Sequence, residues 1–283
     1  MDALQGVWER RKILIWGKTR PELSKTYREV VCTGGVFADT RRLVRLYPIP
    51  LRFMNDEQIF GKYQWIEANV TRATSDPRPE SYKIQADGIK VLGKIPPNRG
   101  NWSKRAEWVM QPENIFQSVE ALQARREMDY TSLGLVQPKE IVRIFSRSVP
   151  ASERREFRQR YEATLSQMEL PAEEFIGRDI KPLRDADFRY VIRFRCDDPR
   201  CTTLHNFSVR DWEVDALYFK CRKRGDDPQT AAQKVVKKLE QICGPDKDTY
   251  FYLGNISNRP KKFTIVGLWY PKWQPQIEMD LGF

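Results

Sequence analysis

The sequence predicts an α+β protein that begins with an OB-like β-barrel region and continues into a smaller α+β unit. Five short stretches typical of strands follow one another at close spacing within residues 12–85, and such spacing is typical of a small barrel. From residue 188 onward, strand and helix patterns surround a loop that holds two cysteines and the only histidine. We therefore expect an OB-like domain over residues 1–150, a charged helix and linker over 151–187, and an α+β domain with the Cys/His loop over 188–283.

The elements of the first half follow from local patterns. Strands are predicted at residues 12–16, 27–33, 43–48, 63–70 and 82–85. The pair Gly34-Gly35 predicts a turn after the second of these strands. Helices are predicted over residues 103–110 and 113–127, and a last strand over residues 140–146 closes this region.

The second half begins with a highly charged predicted helix over residues 152–168, whose apolar residues form one narrow stripe. Residues 169–187 carry an irregular pattern typical of a linker. A strand at residues 188–196 places three arginines on one face, because side chains alternate along a strand. Two helices and a final hairpin are predicted at residues 209–222, 228–242, 250–253 and 263–270.

Composition restricts the class of protein. The net charge is +11, from 49 Lys and Arg against 38 Asp and Glu, and an excess of this size favours an anionic partner. Nucleic acid is the commonest such partner, while the alternative is a charge that serves only solubility. No apolar run is long enough for a membrane span and the N-terminus lacks a secretory signal, so we expect a cytoplasmic protein with no membrane association.

Basic residues interleaved with aromatic ones form the first group of candidate site residues. Guanidinium and ammonium groups neutralise phosphates, and exposed aromatic rings stack on unpaired bases. The candidates for nucleic-acid binding are Arg41, Arg42, Arg45, Tyr47, Arg78, Arg189, Arg193, Arg195, Arg259, Lys261, Lys262 and Trp273. The alternative is that the aromatic rings belong to the core and the charges to a solvated face.

The loop after residue 196 holds the second group. Cys196, Cys201 and His205 have a spacing compatible with zinc, which binds four thiolate or imidazole ligands in a tetrahedron, and Cys221 is the candidate fourth ligand. Such a zinc ion would be structural. The alternative is a surface loop with two buried thiols and a packing histidine.

A weaker hypothesis makes the same region a catalytic centre. Asp211 and Glu213 could orient His205 or act as acid and base, although both also suit the N-terminus of a helix. With a single histidine, every mechanism that needs two histidines is excluded. Nucleotide-binding P-loops, dinucleotide fingerprints and nucleophile elbows are missing from the sequence.

Several phrases together resemble a known family. They are Val31-Cys-Thr-Gly-Gly35, Val44-Arg-Leu-Tyr-Pro-Ile-Pro50, Asp76-Pro-Arg-Pro-Glu-Ser81, Leu133-Gly-Leu-Val-Gln-Pro138 and Phe251-Tyr-Leu-Gly-Asn255. They are similar to an uncharacterised bacterial family of hypothetical proteins found near mobile elements and defence islands, with an N-terminal part like a dual OB-containing domain. The resemblance implies a barrel in the first half and assigns no catalytic residue.

These observations lead to three functional hypotheses. The first is an accessory protein that binds single-stranded or distorted nucleic acid in a mobile-element or defence context. The second is an enzyme acting on nucleic acid or nucleotides, with the polar centre at His205, Asp211 and Glu213. The third is a protein-interaction subunit of a defence complex, whose partner is encoded nearby.

Overall fold

The computed structural model describes residues 6–24, 26–166, 183–256 and 259–273. The strands are β1 (Glu9–Lys18), β2 (Glu22–Ser24), β3 (Arg28–Phe37), β4 (Leu43–Ile49), β5 (Gln64–Arg72), β6 (Ser81–Ile84), β7 (Lys90–Lys94), β8 (Ile115–Phe116), β9 (Leu133–Val136), β10 (Pro138–Ser148), β11 (Phe188–Cys196), β12 (His205–Val209), β13 (Tyr250–Ile256) and β14 (Arg259–Trp269). The helices are α1 (Ser103–Val109), α2 (Val119–Asp129), α3 (Ala151–Ser166), α4 (Trp212–Lys223) and α5 (Pro228–Ile242). No helix in these ranges is both long and apolar enough to cross a bilayer.

The first sheet closes into a five-stranded barrel. Its strands pair in the order β1-β3-β4-β6-β5, and β5 pairs back with β1. The contact between β4 and β6 is parallel and the others are antiparallel. This confirms the predicted OB-like barrel, which is a five-stranded Greek-key architecture. Its interior is filled by apolar side chains, among them Ile13, Ile15, Val31, Phe37, Val44, Leu46, Ile66 and Ile84.

The second sheet has seven strands in the order β10-β11-β12-β14-β13-β9-β8. Helices α2, α4 and α5 cover one of its faces. The resulting core includes Leu122, Tyr218, Val235, Ile192, Phe194 and Phe251, all of them buried. Helix α5 begins as the sequence predicts, with Asp227 as N-cap and Pro228 at its first position.

The opposite face of the second sheet packs on the outside of the barrel. The indole of Trp16 on β1 stacks on the ring of Tyr252 on β13, with centroids 4.0 Å apart. Around this pair lie further buried residues of both units, Leu14, Val36, Leu43, Leu133, Leu135 and Trp269. The barrel and the second sheet therefore share one apolar core.

Sheet pairing differs from the predicted grouping in one respect. Strands β8, β9 and β10 belong to the second sheet, so the change of sheet follows α1 and precedes Ile115 instead of lying near residue 150. The alternating pattern of β10 identifies a strand but not the sheet it joins, since one buried and one open face produce the same alternation in either unit. The predicted linker falls mainly on residues 167–182, which lie outside the described ranges.

Three local predictions were wrong. Gly34 and Gly35 lie inside β3 and form no turn, because the missing side chain at Gly34 makes room for the Trp16 ring. The helix predicted from residue 209 starts at Trp212, since the preceding residues form β12. The helix predicted from residue 113 starts only at Val119, after the short strand β8.

Candidate functional site

A cavity of about 610 Å³ lies on the outer face of the barrel, where β3 and β4 meet the second sheet. Two barrel loops border it, the connection from β1 to β3 and the connection from β5 to β6. Strands β13 and β14 cover its other side through Asn255, Thr264 and Val266. Strands two and three of an OB-fold, with the loops that follow strands one and four, are the surface on which such barrels bind oligonucleotides and oligosaccharides. In this barrel β3 and β4 hold those positions.

Arg45 on β4 is the most buried cation of the cavity wall. Its guanidinium lies 3.6 Å from Glu80 Oε1 and 3.4 Å from the Ser132 hydroxyl. Charge-assisted hydrogen bonds are usually about 2.7–2.9 Å long, so these contacts hold the guanidinium loosely. Arg45 therefore retains capacity to bind an anion in the cavity.

Arg78 lies in the loop between β5 and β6 and is held more tightly. It pairs with Asp76 at 2.5 Å and donates to the backbone carbonyl and the side-chain oxygen of Asn255, each at 3.1 Å. Burial alone would raise the pKa of Asp76, but hydrogen bonds from Arg78 lower it to about 2. The loop is thereby tied to the second sheet, and Asp76 stays ionised at neutral pH.

The mouth of the cavity combines aromatic and cationic groups. Tyr47 on β4 is 45% exposed, and Tyr82 on β6 packs edge-on against Phe37 with ring centroids 5.0 Å apart. Lys83 is exposed at the rim, and Arg210 forms an ion pair with Glu22. An exposed ring beside cations is the combination that binds unpaired bases and phosphates.

The structure distributes the predicted nucleic-acid-binding residues over several places. Arg45, Tyr47 and Arg78 line the cavity, whereas Arg41 and Arg42 lie in the exposed turn after β3. The remaining candidates lie on the second sheet or beyond it: Arg189, Arg193 and Arg195 on β11, Arg259, Lys261 and Lys262 at the exposed start of β14, and Trp273 beside a second cavity.

A separate cluster of possible metal ligands lies at the end of the second sheet. Cys196 ends β11, His205 begins β12, Cys201 lies in the loop between them, and Glu120 lies in the first turn of α2. The four ligand atoms are all within 4.8 Å of one another. His205 Nε2 lies 3.2 Å from Cys201 Sγ and 3.2 Å from Glu120 Oε1.

Groups around the cluster suit a metal-bound state. The backbone N–H of Val119 donates to Cys196 Sγ and that of Cys196 donates to Cys201 Sγ, both at 3.4 Å. Such N–H donors favour thiolates. Burial raises the pKa of Cys196 to about 12, which opposes the deprotonation that metal binding requires. Glu120 Oε2 is buried and has no hydrogen-bond partner among the described residues.

The observed cluster of possible ligands differs from the predicted set at one position. Three of the four predicted ligands meet, but Cys221 is buried on α4 in the core beneath the helices and Glu120 takes its place. Sequence reasoning missed Glu120, because an acidic residue in the first turn of a helix is ordinary. Its proximity depends on the packing of α2 against β11.

The proposed polar centre of His205, Asp211 and Glu213 is not assembled. Asp211 is the N-cap of α4 and accepts from the backbone N–H of Glu213 at 3.0 Å. Lys62 of the barrel lies 2.7 Å from Asp211 and 3.0 Å from Glu213. These carboxylates thus join α4 to the barrel, while His205 contacts Glu120 and Cys201.

Two families match adjacent parts of the chain. Residues 9–111 match the family described as Domain of unknown function (DUF8758). Residues 115–281 match the family described as Domain of unknown function (DUF8757). The two matches meet where the chain passes from the barrel to the second sheet. No curated protein shows a significant match.

Proposed function

The chain belongs to the DUF8757 family, with a DUF8758 domain before it, and we propose that it binds single-stranded nucleic acid at the barrel cavity. The principal support is the position of the cavity on β3, β4 and the two adjoining loops, which is where OB-folds bind oligonucleotides. Its volume of about 610 Å³ suits an unstacked nucleotide.

Each wall of the cavity has a role in this proposal. A base stacks on the exposed ring of Tyr47, and the neighbouring phosphate approaches Arg45 from the cavity side. Lys83 at the rim attracts the approaching strand, since its charge faces solvent. The net charge of +11 adds long-range attraction that salt screens.

The resemblance of the sequence to proteins near mobile elements and defence islands supports an accessory role in such a system. The partner is then the nucleic acid itself, together with a protein encoded nearby, and the location is the cytoplasm. Copurification with a neighbouring gene product, compared before and after nuclease treatment, would separate direct assembly from assembly through bound nucleic acid.

The binding proposal is tested by fluorescence anisotropy with labelled DNA and RNA single strands of about 10 nucleotides, within the site size of an OB-fold. Tyr47→Ala should weaken binding about tenfold, because one stacked base contributes about 1–3 kcal/mol, while Tyr47→Phe keeps the ring and should bind like wild type. Lys83→Glu should weaken binding more than the same change at the exposed Lys237 on α5. A wild-type protein that binds neither strand at low salt overturns the proposal.

We also propose that Glu120, Cys196, Cys201 and His205 hold a structural zinc ion. Two thiolates, one imidazole and one carboxylate complete a four-coordinate set, and a closed set is typical of structural sites. Bond lengths of about 2.0–2.3 Å place tetrahedral ligand atoms roughly 3.3–3.8 Å apart. His205 Nε2 lies 3.2 Å from two of the other ligand atoms, and all four lie within 4.8 Å of one another. The ion would join the first turn of α2 to the loop between β11 and β12.

Elemental analysis tests the zinc proposal with two matched cysteine variants. Wild type and Cys221→Ser should contain about one equivalent of zinc, because Cys221 lies outside the ligand set. Cys201→Ser should contain less than about a tenth of an equivalent. Metal-free wild type, or loss of the metal in Cys221→Ser alone, contradicts the assignment.

A further inference from the structure

The face of the second sheet that packs on the barrel continues beyond it at β10 and β11, and there it carries a group of arginines that the cavity does not use. Arg143, Phe145 and Arg147 alternate along β10 and therefore point to the same side. In the register of the sheet, Arg143 pairs with Arg193 and Arg147 with Arg189. This is the side away from α2, α4 and α5, since the intervening pair of Ile144 and Ile192 lies in the core beneath them. Helix α3 reaches it at Arg189 through Glu153.

Three of these arginines surround one ring. The guanidinium carbons of Arg143, Arg193 and Arg147 lie 5.3, 5.9 and 6.0 Å from the centroid of Phe145. Among the described residues Arg143 and Arg147 form no ion pair, and Arg193 donates to the neutral oxygen of Asn206 at 2.8 Å. We define the arginine cluster as Arg143, Arg147, Arg193 and Phe145.

Carboxylates balance the arginines on either side of this cluster, including Arg189, which lies between Arg210 and Arg147 in the register of the sheet. Arg189 pairs with Asp185 at 2.7 Å and with Glu153 at 3.3 Å, and Arg195 lies 3.8 Å from Glu140. Three guanidinium groups that share one ring without a carboxylate repel one another. An anion bound between them removes that repulsion, so charge complementarity favours a phosphate-bearing partner.

The cluster and the cavity lie on the same face of the second sheet. Val209 pairs with Ile265 in the helix-covered core, so the alternate residues Ser208 and Arg210 point to the barrel side with Thr264 and Val266. Arg210, Thr264 and Val266 line the cavity, and Ser208 pairs with Val191 next to Phe145. Three strand spacings separate β14 from β10, which is about 14 Å.

We infer that a nucleic-acid strand bound in the cavity continues over Arg210 onto the arginine cluster, where its phosphates meet Arg143, Arg147 and Arg193. This inference rests on the proposed binding at the cavity and extends it to a second contact surface. Phosphates approach the three guanidinium groups, and the partly buried ring of Phe145 offers a surface for a base. The cluster adds affinity without base-specific hydrogen bonds.

The experiment compares a short and a long single strand, of about 4 and about 16 nucleotides, the limits of the OB-fold site size. The double variant Arg143→Glu/Arg147→Glu should bind the long strand at least about tenfold more weakly and the short strand like wild type. For the long strand, the slope of log K against log salt concentration should become shallower by about 1.4. Two phosphate contacts are lost, and each contributes about 0.7 to that slope.

Lys237→Glu/Lys238→Glu is the matched control, because both lysines are exposed on α5, which packs on the other face of the sheet. This double variant makes the same charge change and should weaken the binding of the long strand far less. The milder double variant Arg143→Gln/Arg147→Gln should keep the thermal midpoint of wild type and still bind the long strand more weakly, which separates a loss of binding from a loss of folding.

Three outcomes distinguish the inferences. If wild type binds no strand, the cavity proposal fails and this inference fails with it. If binding depends on Tyr47 but the arginine variant equals the lysine control, the cavity proposal stands and the cluster is excluded. If the arginine variant loses only the long strand, both are supported.

Discussion

At the scale of single residues, Glu80 is the buried counter-charge on the cavity wall. Glu80 accepts from the Ser132 backbone N–H at 3.1 Å and from its hydroxyl at 2.5 Å, and it is the counter-charge of Arg45. Glu80→Gln leaves Arg45 buried without that counter-charge, so the free energy of unfolding should fall by about 3–5 kcal/mol.

Urea unfolding measures this loss, and Glu9→Gln is its control. Glu9 is 63% exposed and lies 4.0 Å from Arg11, so its removal should change the free energy of unfolding by less than about 0.5 kcal/mol. Equal losses for the two variants would contradict a structural role for the pair between Arg45 and Glu80.

Lys18 affects the pH dependence of the free energy of unfolding with the opposite sign to a lysine whose pKa is raised by an ion pair. Burial lowers the pKa of Lys18 to about 8, with Lys62 and Lys94 adding to the shift and Glu213 and Asp211 opposing it. Between pH 8 and the ordinary value of 10.5 the unfolded chain holds the extra proton, so the contribution of Lys18 to stability rises with pH across that window.

We predict that wild type gains about 3 kcal/mol relative to Lys18→Met between pH 8 and 10.5. Taking the difference between the two proteins cancels the titration of tyrosines, which both share. Denaturant unfolding at several pH values measures it, and a difference that is flat or falls with pH would show that Lys18 is not desolvated as described.

At the scale of elements, the contact between β1 and β3 depends on one missing side chain. A Cβ at Gly34 would lie 2.1 Å from the Trp16 ring, whose other side stacks on Tyr252. Gly34→Ala must displace Trp16 or the strand. Overpacking of this kind lowers the free energy of unfolding by about 1–3 kcal/mol. Gly93→Ala on β7 is the control, because nothing lies within 4 Å of a Cβ there.

Thermal unfolding and tryptophan fluorescence test this prediction together. Gly34→Ala should lower the midpoint and shift the summed emission of the eight tryptophans as Trp16 leaves its partner ring, whereas Gly93→Ala should change neither. Unchanged stability in Gly34→Ala would mean that the ring has free space beside it.

The same elements show how far a sequence determines a fold. The five barrel strands could be predicted because alternation and apolar runs are local signals. Closure of β5 onto β1 is non-local, and so is the recruitment of β10 to the second sheet. Strand β12 was missed because His205–Val209 is short and mostly polar, and it is fixed by pairing on both sides.

The candidate site divides in the same way. The loop spacing predicted Cys196, Cys201 and His205 as neighbours, since they follow one another in the chain. Glu120 comes from a different element and had no distinguishing local signal. Only Arg193 of the arginine cluster could be predicted, because the arginines of β11 alternate along one strand, while the pairing of β10 with β11 is a property of the folded sheet.

At the scale of the whole molecule, the shared core makes the barrel and the second sheet one folding unit. Leu14, Trp16 and Val36 of the barrel are buried only with Leu135 and Tyr252 of the second sheet beside them. Separation would expose two large apolar surfaces, and surfaces of that kind associate. Residues 1–112 and 113–283, produced separately, should therefore aggregate or bind a hydrophobic dye, and produced together they should copurify as a one-to-one complex.

The control divides the chain at residue 150, the boundary that the sequence suggests. That division keeps β8, β9 and β10 with the barrel and removes them from β11 and β13, whose backbone groups then lose their partners. The fragments 1–150 and 151–283 should recombine less completely than 1–112 and 113–283, as measured by size-exclusion chromatography and amide hydrogen exchange. If 1–150 and 151–283 recombined more completely than 1–112 and 113–283, the shared core would be contradicted. That result would mean that β8, β9 and β10 are stable on the barrel without the rest of the second sheet.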